Sequence, residues 1–182
     1  MDVSSTHCAQ CVCAIARARI GGLQVVSDLF DDQALARIEQ QIDEWLAHLQ
    51  TQNPAILAID RSTEGDIRWY VRMQGEEKEF TTVWLTLGQR TLRYETYVMP
   101  APEENAEALY ESLLRRNEKL VGAHFSIGAE DAVFLRGEMP IGSLNEKELD
   151  RAIGTLYAAV ERYFKGFLQI GFARLFNSRF DS

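Results

Sequence analysis

The amino-acid sequence predicts an α+β fold: a mostly antiparallel five-stranded sheet packed with helices, in the order α-β-β-β-α-β-β-α. Three observations carry this prediction. From Asp66 to Met99, three successive segments alternate apolar and polar residues with short turns between them. That is the pattern of an antiparallel meander with one face on a core. Before and after it, apolar residues recur at spacings of three and four, the period of a helix. At 182 residues the chain fits one domain and is long enough to bury a core.

Residues 1–26 are mostly small or polar and aperiodic, turning mildly apolar at Leu23, Val25 and Val26. They are expected to form a leader, disordered in part through about Arg19. The folded domain is expected over 27–171, with 172–182 as a C-terminal tail. Asp31 or Asp32 can cap the first helix, whose apolar stripe is Leu35, Ile38, Ile42, Leu46 and Leu49. It should end near Gln52, because Asn53 precedes Pro54. Ala55 to Asp60 reads as a strand or as an extended packing segment.

The meander follows. Ile67, Trp69, Val71 and Met73 share a face, as do Val83, Leu85 and Leu87, and then Leu92, Tyr94, Thr96 and Val98. A second helix is predicted over Pro102 to Lys119, with Pro102 in its first turn and Glu103 and Glu104 opposing the positive end of the dipole. Two short strands flank a turn at Gly128 to Asp131. Asn145 and Glu148 resemble a capping box for a third helix running to about Leu168. That helix is apolar over a wide arc, from Leu149 and Ile153 through Leu156 and Val160 to Phe167, which implies contact on more than one side.

Composition excludes several classes. The net charge of -8 and a pI near 4.9 repel phosphate backbones, so nucleic acid is a poor partner. No apolar run approaches the roughly 20 residues that span a bilayer, so no membrane partner is expected. The apolar stretch Val12 to Ala16 is short, and Arg17 and Arg19 follow it where a signal peptide would place its charges first. A cytoplasmic protein is expected. Cys8, Cys11 and Cys13 all fall near the N-terminus beside His7, whereas a disulfide-stapled domain would distribute its cysteines. Together they could supply the four ligands of a zinc site or a redox cluster. Against that, the Cys-x-Cys step is tight and no second pair follows. The alternative is a leader the fold does not use.

RWYVRMQGEEKEFTTVWLTLGQRTLRYETYVMP, LYESLLRRNEKLVGAHFSIGAEDAVFLRGEMP and ELDRAIGTLYAAVERYF resemble the actinobacterial branch of the YbjN-like family. The element order resembles the fold of type III secretion chaperones. The resemblance covers roughly Asp28 to Gly171 and leaves the leader outside. It implies little biochemistry for the family itself. The secretion chaperones of this fold are acidic homodimers that bind extended segments of client proteins, and this chain is also acidic.

No catalytic constellation is legible. His48 lies among apolar helix positions and reads as a helix-surface residue, and His124 alternates with Phe125 on a short strand with no acid nearby in sequence. Glu103-Glu104 and Glu130-Asp131 fall at a helix start and a turn, where adjacent acids cap or are solvated. No phosphate-cradling glycine loop occurs. The chain therefore reads as a non-enzyme, with no catalytic, metal or cofactor residue in the folded domain.

The candidate functional residues lie on the other face of the meander. Tyr70, Arg72, Trp84, Arg93 and Tyr97, with Arg68, Thr82 and Arg136, have the parity opposite to the core. Tyr and Trp beside Arg is the composition of binding hot spots. Two readings stay open: a contact surface for a partner or second subunit, or a sheet face that arginine and tyrosine stems merely cover or that another part of the chain overlies. The expected function is a chaperone-like or adaptor protein binding another polypeptide, with a homodimer as the expected arrangement. The alternatives are a small-ligand regulator with a pocket between the third helix and the sheet, and a metal or redox role for the cysteine leader.

Overall fold

The computed structural model describes residues 31–177, and the leader with Cys8, Cys11 and Cys13 lies outside the described residues. α1 (Asp32–Gln52) starts where Asp31 accepts the Ala34 N–H at 2.7 Å and stops at Asn53 before the proline. Its stripe buries Ile42, Leu46 and Leu49. The sheet consists of β1 (Ile56–Arg61), β2 (Arg68–Gln74), β3 (Phe80–Leu87), β4 (Thr91–Met99), β5 (His124–Ile127) and β6 (Val133–Pro140). Every pairing is antiparallel, in the order β1-β2-β3-β4-β6-β5.

The sheet thus has six strands, and the expected five is corrected. The segment whose sequence left strand or extended packing open pairs with β2, and a register irregularity between Ile56 and Ala58 breaks its alternation. A bulge disrupts the period-2 pattern by which a strand is recognised in sequence.

The core face is the one alternation predicts. Trp69, Val71, Met73, Val83, Leu85, Leu92 and Val98 are buried together with residues of the helices. Thr96 shares this face and satisfies its hydroxyl by donating to the Thr82 carbonyl at 2.9 Å. α3 (Glu146–Gly171) lies against β3, β4 and β6, and α1 against β1. Asn145 accepts the Glu148 N–H at 3.2 Å and so caps α3 as expected. Asn145→Ala is expected to lower stability by about 1 kcal/mol, read by urea denaturation, because a helix-end donor loses its acceptor. A change below ~0.3 kcal/mol would show that water replaces the cap.

α2 (Ala106–Asn117) is shorter than predicted. Pro102 does not open it: the chain there is held by Gly171, whose carbonyl accepts the Glu103 and Glu104 N–H groups at 3.0 and 3.1 Å. The helix starts at Asn105, a left-handed residue with φ 53°, whose side chain donates to the Ile170 carbonyl at 3.0 Å. A tertiary anchor at the end of α3 thus overrides the local proline signal. Glu104 serves another helix end, accepting the Arg174 N–H of α4 (Ala173–Asn177) at 2.6 Å. α2 packs on α3 and β5.

Candidate partner-binding site

The face of the sheet opposite the core alternates to half-buried and exposed residues along β2, β3 and β4. Register places its candidates side by side. Asp60, Tyr70, Trp84, Glu95, Arg136 and His124 form one row across all six strands. In the next row Arg72 opposes Thr82, and Tyr97 opposes Phe134. Cross-strand neighbours on one face of an antiparallel pair lie within side-chain contact, which is how a strand-by-strand parity becomes a surface.

The aromatic residues touch. The Tyr70 ring meets Trp84 edge-on at 6.3 Å between centroids, Trp84 meets Phe134 at 6.3 Å, and Tyr97 meets Phe134 at 5.6 Å. Such pairs are favourable by about 0.5–1.5 kcal/mol beyond their area. The Arg136 guanidinium stands 4.6 Å from the Phe134 centroid, with its Nε 2.7 Å from Glu95. Phe134 is the member sequence reasoning missed. It has the parity of Arg136 two residues on, a signal present in FLRGE. The turn after β5 also shelters it: a Cβ on Gly128 would stand 2.4 Å from the Phe134 ring, so only glycine lets that turn close.

The arginines behave differently from one another. Arg72 lies 3.7 Å from Asp60 with both side chains more than half exposed, a pair that contributes little. Arg68 donates to the Thr86 hydroxyl at 3.0 Å. Among the described residues Arg93 has no ion-pair partner, and it lines an open depression of about 480 Å³ with Glu95, His124, Arg136 and Glu138. All five singled-out residues, Tyr70, Arg72, Trp84, Arg93 and Tyr97, therefore share one face. Tyr70, Trp84 and Tyr97 join through Phe134, while Arg93 stands apart at the depression.

At one end of this face sits Lys78. Its ammonium donates to the Tyr97 carbonyl and lies 5.1 Å from the Tyr97 ring and 5.6 Å from that of Phe164 on α3. Glu161 of α3 fixes the same β2–β3 turn, accepting the N–H groups of Glu76, Glu77 and Lys78 at 2.6, 3.0 and 3.3 Å. A Cβ on Gly75 would stand 2.3 Å from that carboxylate. Burial pulls the Lys78 ammonium down from 10.5 to about 8, with the Glu161 charge opposing. The unfolded chain holds this proton more tightly, so between pH 8 and 10.5 the Lys78 contribution to stability rises with pH, and below pH 8 its penalty is constant. A lysine side-chain NMR titration is expected to show Lys78 with a midpoint near 8. A Lys78 midpoint above 10 would place this amine in water.

His48 pairs with Glu146 and with the Gln52 amide, on the surface of α1. Among the described residues no group of three or more His, Cys, Asp or Glu side chains could hold a metal. Where α3 crosses the sheet near Tyr94, Met139 and Ala152, the free space is about 10 Å³, too small for a ligand. No described helix is long and apolar enough to cross a membrane.

Comparison with known proteins agrees with this architecture. An uncharacterised protein of Mycobacterium leprae is 30% identical over 118 residues, 65% of this chain and 64% of that one. The chain thus spans less than two thirds of the length of the curated relatives it matches. Among solved structures, a chain of the ExsC–ExsE complex superposes with a TM-score of 0.51 at 16% identity, covering 70% of this chain and 93% of that one. A chain of the complex between the Yersinia pestis type III secretion chaperone SycH and a fragment of YscM2 gives 0.47 at 15% identity over 68% of this chain and 96% of that one. At such identity the likeness concerns the fold alone. The model of the YbjN family, described as "Putative bacterial sensory transduction regulator", matches residues 39–169. With its matched residues extending from α1 to the last turn of α3, the chain belongs to the YbjN family.

Proposed function

We propose that this protein is a non-enzymatic, chaperone-like or adaptor protein that binds another polypeptide through the aromatic–arginine face, and works as a homodimer in the cytoplasm. One observation carries the reading: Tyr70, Trp84, Phe134 and Tyr97 form a connected aromatic row on the sheet face turned away from the core, bordered by Arg72 and Arg136. Rigid aromatic rings held by one another lose little entropy on contact and bury much area, which suits them to anchor a partner. The solved ExsC–ExsE complex supports it, since a chain of this fold occurs there with another protein. For the dimer, Leu114 of α2 and Ile127 of β5, 70% and 48% exposed, are large apolar side chains left open to a second copy. The cytoplasmic placement rests on the confinement of cysteine to Cys8, Cys11 and Cys13.

The test is Trp84→Ala. Losing a central anchor costs 2 kcal/mol or more, on the order of a thirtyfold loss of affinity. Partners recovered with the native chain from its host, identified by mass spectrometry, should be depleted at least tenfold with the variant, its circular dichroism unchanged. Sedimentation of the native chain should give twice the 20.7 kDa chain mass. Undiminished recovery of the same partners refutes the face; a 20.7 kDa particle refutes the dimer.

A further inference from the structure

We propose that the groove between α2 and α3 docks an acidic segment of a protein partner. The proposal rests on the polypeptide-binding reading above and assigns to it a second, chemically distinct site. Two depressions, of about 340 and 350 Å³, lie where α2 and the loop after it face the outer side of α3, and they meet at Arg162 and Tyr163. Arg116, Lys119, Arg151 and Arg162 line them, and among the described residues no acidic side chain does. On a chain of net charge -8 this is a local inversion of sign. An acidic segment is repelled by the rest of the surface, whereas along this groove it meets a row of cations.

The cations are also available. Arg151 is paired with Glu148. Among the described residues Arg116, Lys119 and Arg162 have no carboxylate partner. The guanidinium groups of Arg116 and Arg162 instead stand 5.0 and 5.5 Å from the Tyr163 ring centroid. The Arg116 Nε is buried with no hydrogen-bond acceptor among the described residues, so the guanidinium is held by the ring rather than by a carboxylate.

The floor is apolar, with Tyr163 shared by both depressions, Phe167 in the first and Val121, 75% exposed, in the second. Ala158 and Gly166 keep the outer stripe of α3 low, and the space beside Gly166 is open. From Arg151 to Ile170 the groove follows α3 for about 28 Å, room for an extended segment of about eight residues. Arg151 and Arg162 stand about 16 Å apart along the helix axis, too far for one phosphate or small carboxylate to bridge. Distributed cations over an apolar floor fit a chain that alternates acidic and apolar side chains, and the negative surface beyond them opposes nucleic acid.

The experiment is a random dodecapeptide display selection on the full chain. Recovered peptides are then dye-labelled and titrated by fluorescence anisotropy against the native protein, Lys119→Glu/Arg162→Glu and Trp84→Ala. Lys119 and Arg162 are exposed, so the double variant should retain its circular dichroism. The expected result is recovery of acidic peptides carrying apolar residues. Their affinity should fall at least tenfold in Lys119→Glu/Arg162→Glu, remain within twofold in Trp84→Ala, and weaken with salt. Recovery of neutral or basic sequences, or of none, overturns the proposal. So does binding lost in Trp84→Ala and kept in the arginine–lysine variant, which would instead support the sheet face alone. If sedimentation shows that the charge reversals dissociate a dimer, the groove holds a second copy and the proposal fails while the aromatic face stands.

Discussion

Leu156→Ala is expected to lower the unfolding free energy by about 2–5 kcal/mol, the range for a buried leucine whose cavity cannot fully collapse. Leu156 is 0% exposed at the middle of α3, the helix that lies against β3, β4 and β6. Ile153 and Val160, on the same arc, are 2% and 0% exposed, so the walls of any cavity are already fixed by neighbouring turns and by the sheet. Urea denaturation with an unchanged slope and a lower midpoint would give the value. A change within experimental noise would mean that the buried face of α3 is assigned wrongly.

Trp69→Ala should cost about 3–5 kcal/mol. Trp69 is 1% exposed and ties three elements together. It sits on β2, its indole Nε1 donates to Asp43 of α1 at 2.6 Å, and the Arg61 guanidinium of β1 lies 5.4 Å from its ring centroid. Arg61 closes the circuit by an ion pair with Asp43 at 2.8 Å and another with Glu39. Removing the indole leaves a large void and takes one partner from Asp43, while Arg61 still neutralises that carboxylate. Asp43→Ala deletes the hydrogen bond and the Arg61 ion pair but keeps the ring, so its cost should be smaller, about 1–3 kcal/mol. Equal costs for the two variants would show that the polar contacts of Asp43, and not the packed indole, hold α1 to the sheet edge.

The buried face of the meander was legible in the sequence because strand geometry maps period two directly onto sides. Trp69, Val71, Val83, Leu85, Leu92 and Val98 reach the core whatever lies elsewhere in the chain, since a slip of one residue would expose them all. The opposite parity of Tyr70, Trp84 and Tyr97 was legible for the same reason. The ends of α1 and the start of α3 were legible because Asp31, Pro54 and Asn145 act through neighbours within three or four residues. β1 was not, because a bulge blurs its alternation and only β2 identifies it as a strand. The start of α2 was not, because Pro102 and Glu103 are held by Gly171, 68 or more residues away in the chain.

By itself, then, the sequence determined which residues are sealed inside, which face of the sheet carries rings and arginines, and that no local motif offers catalysis. These follow from backbone periodicity and from capping, which are properties of short stretches. The tertiary structure alone decided which of those outward residues meet. Phe134 joins Trp84 to Tyr97 only because β6 inserts between β4 and β5 in the sheet. The cations of α2 and α3 share a groove only because those helices pack side by side. Contacts between residues distant in sequence depend on strand order and helix docking, and no periodicity within either segment encodes them.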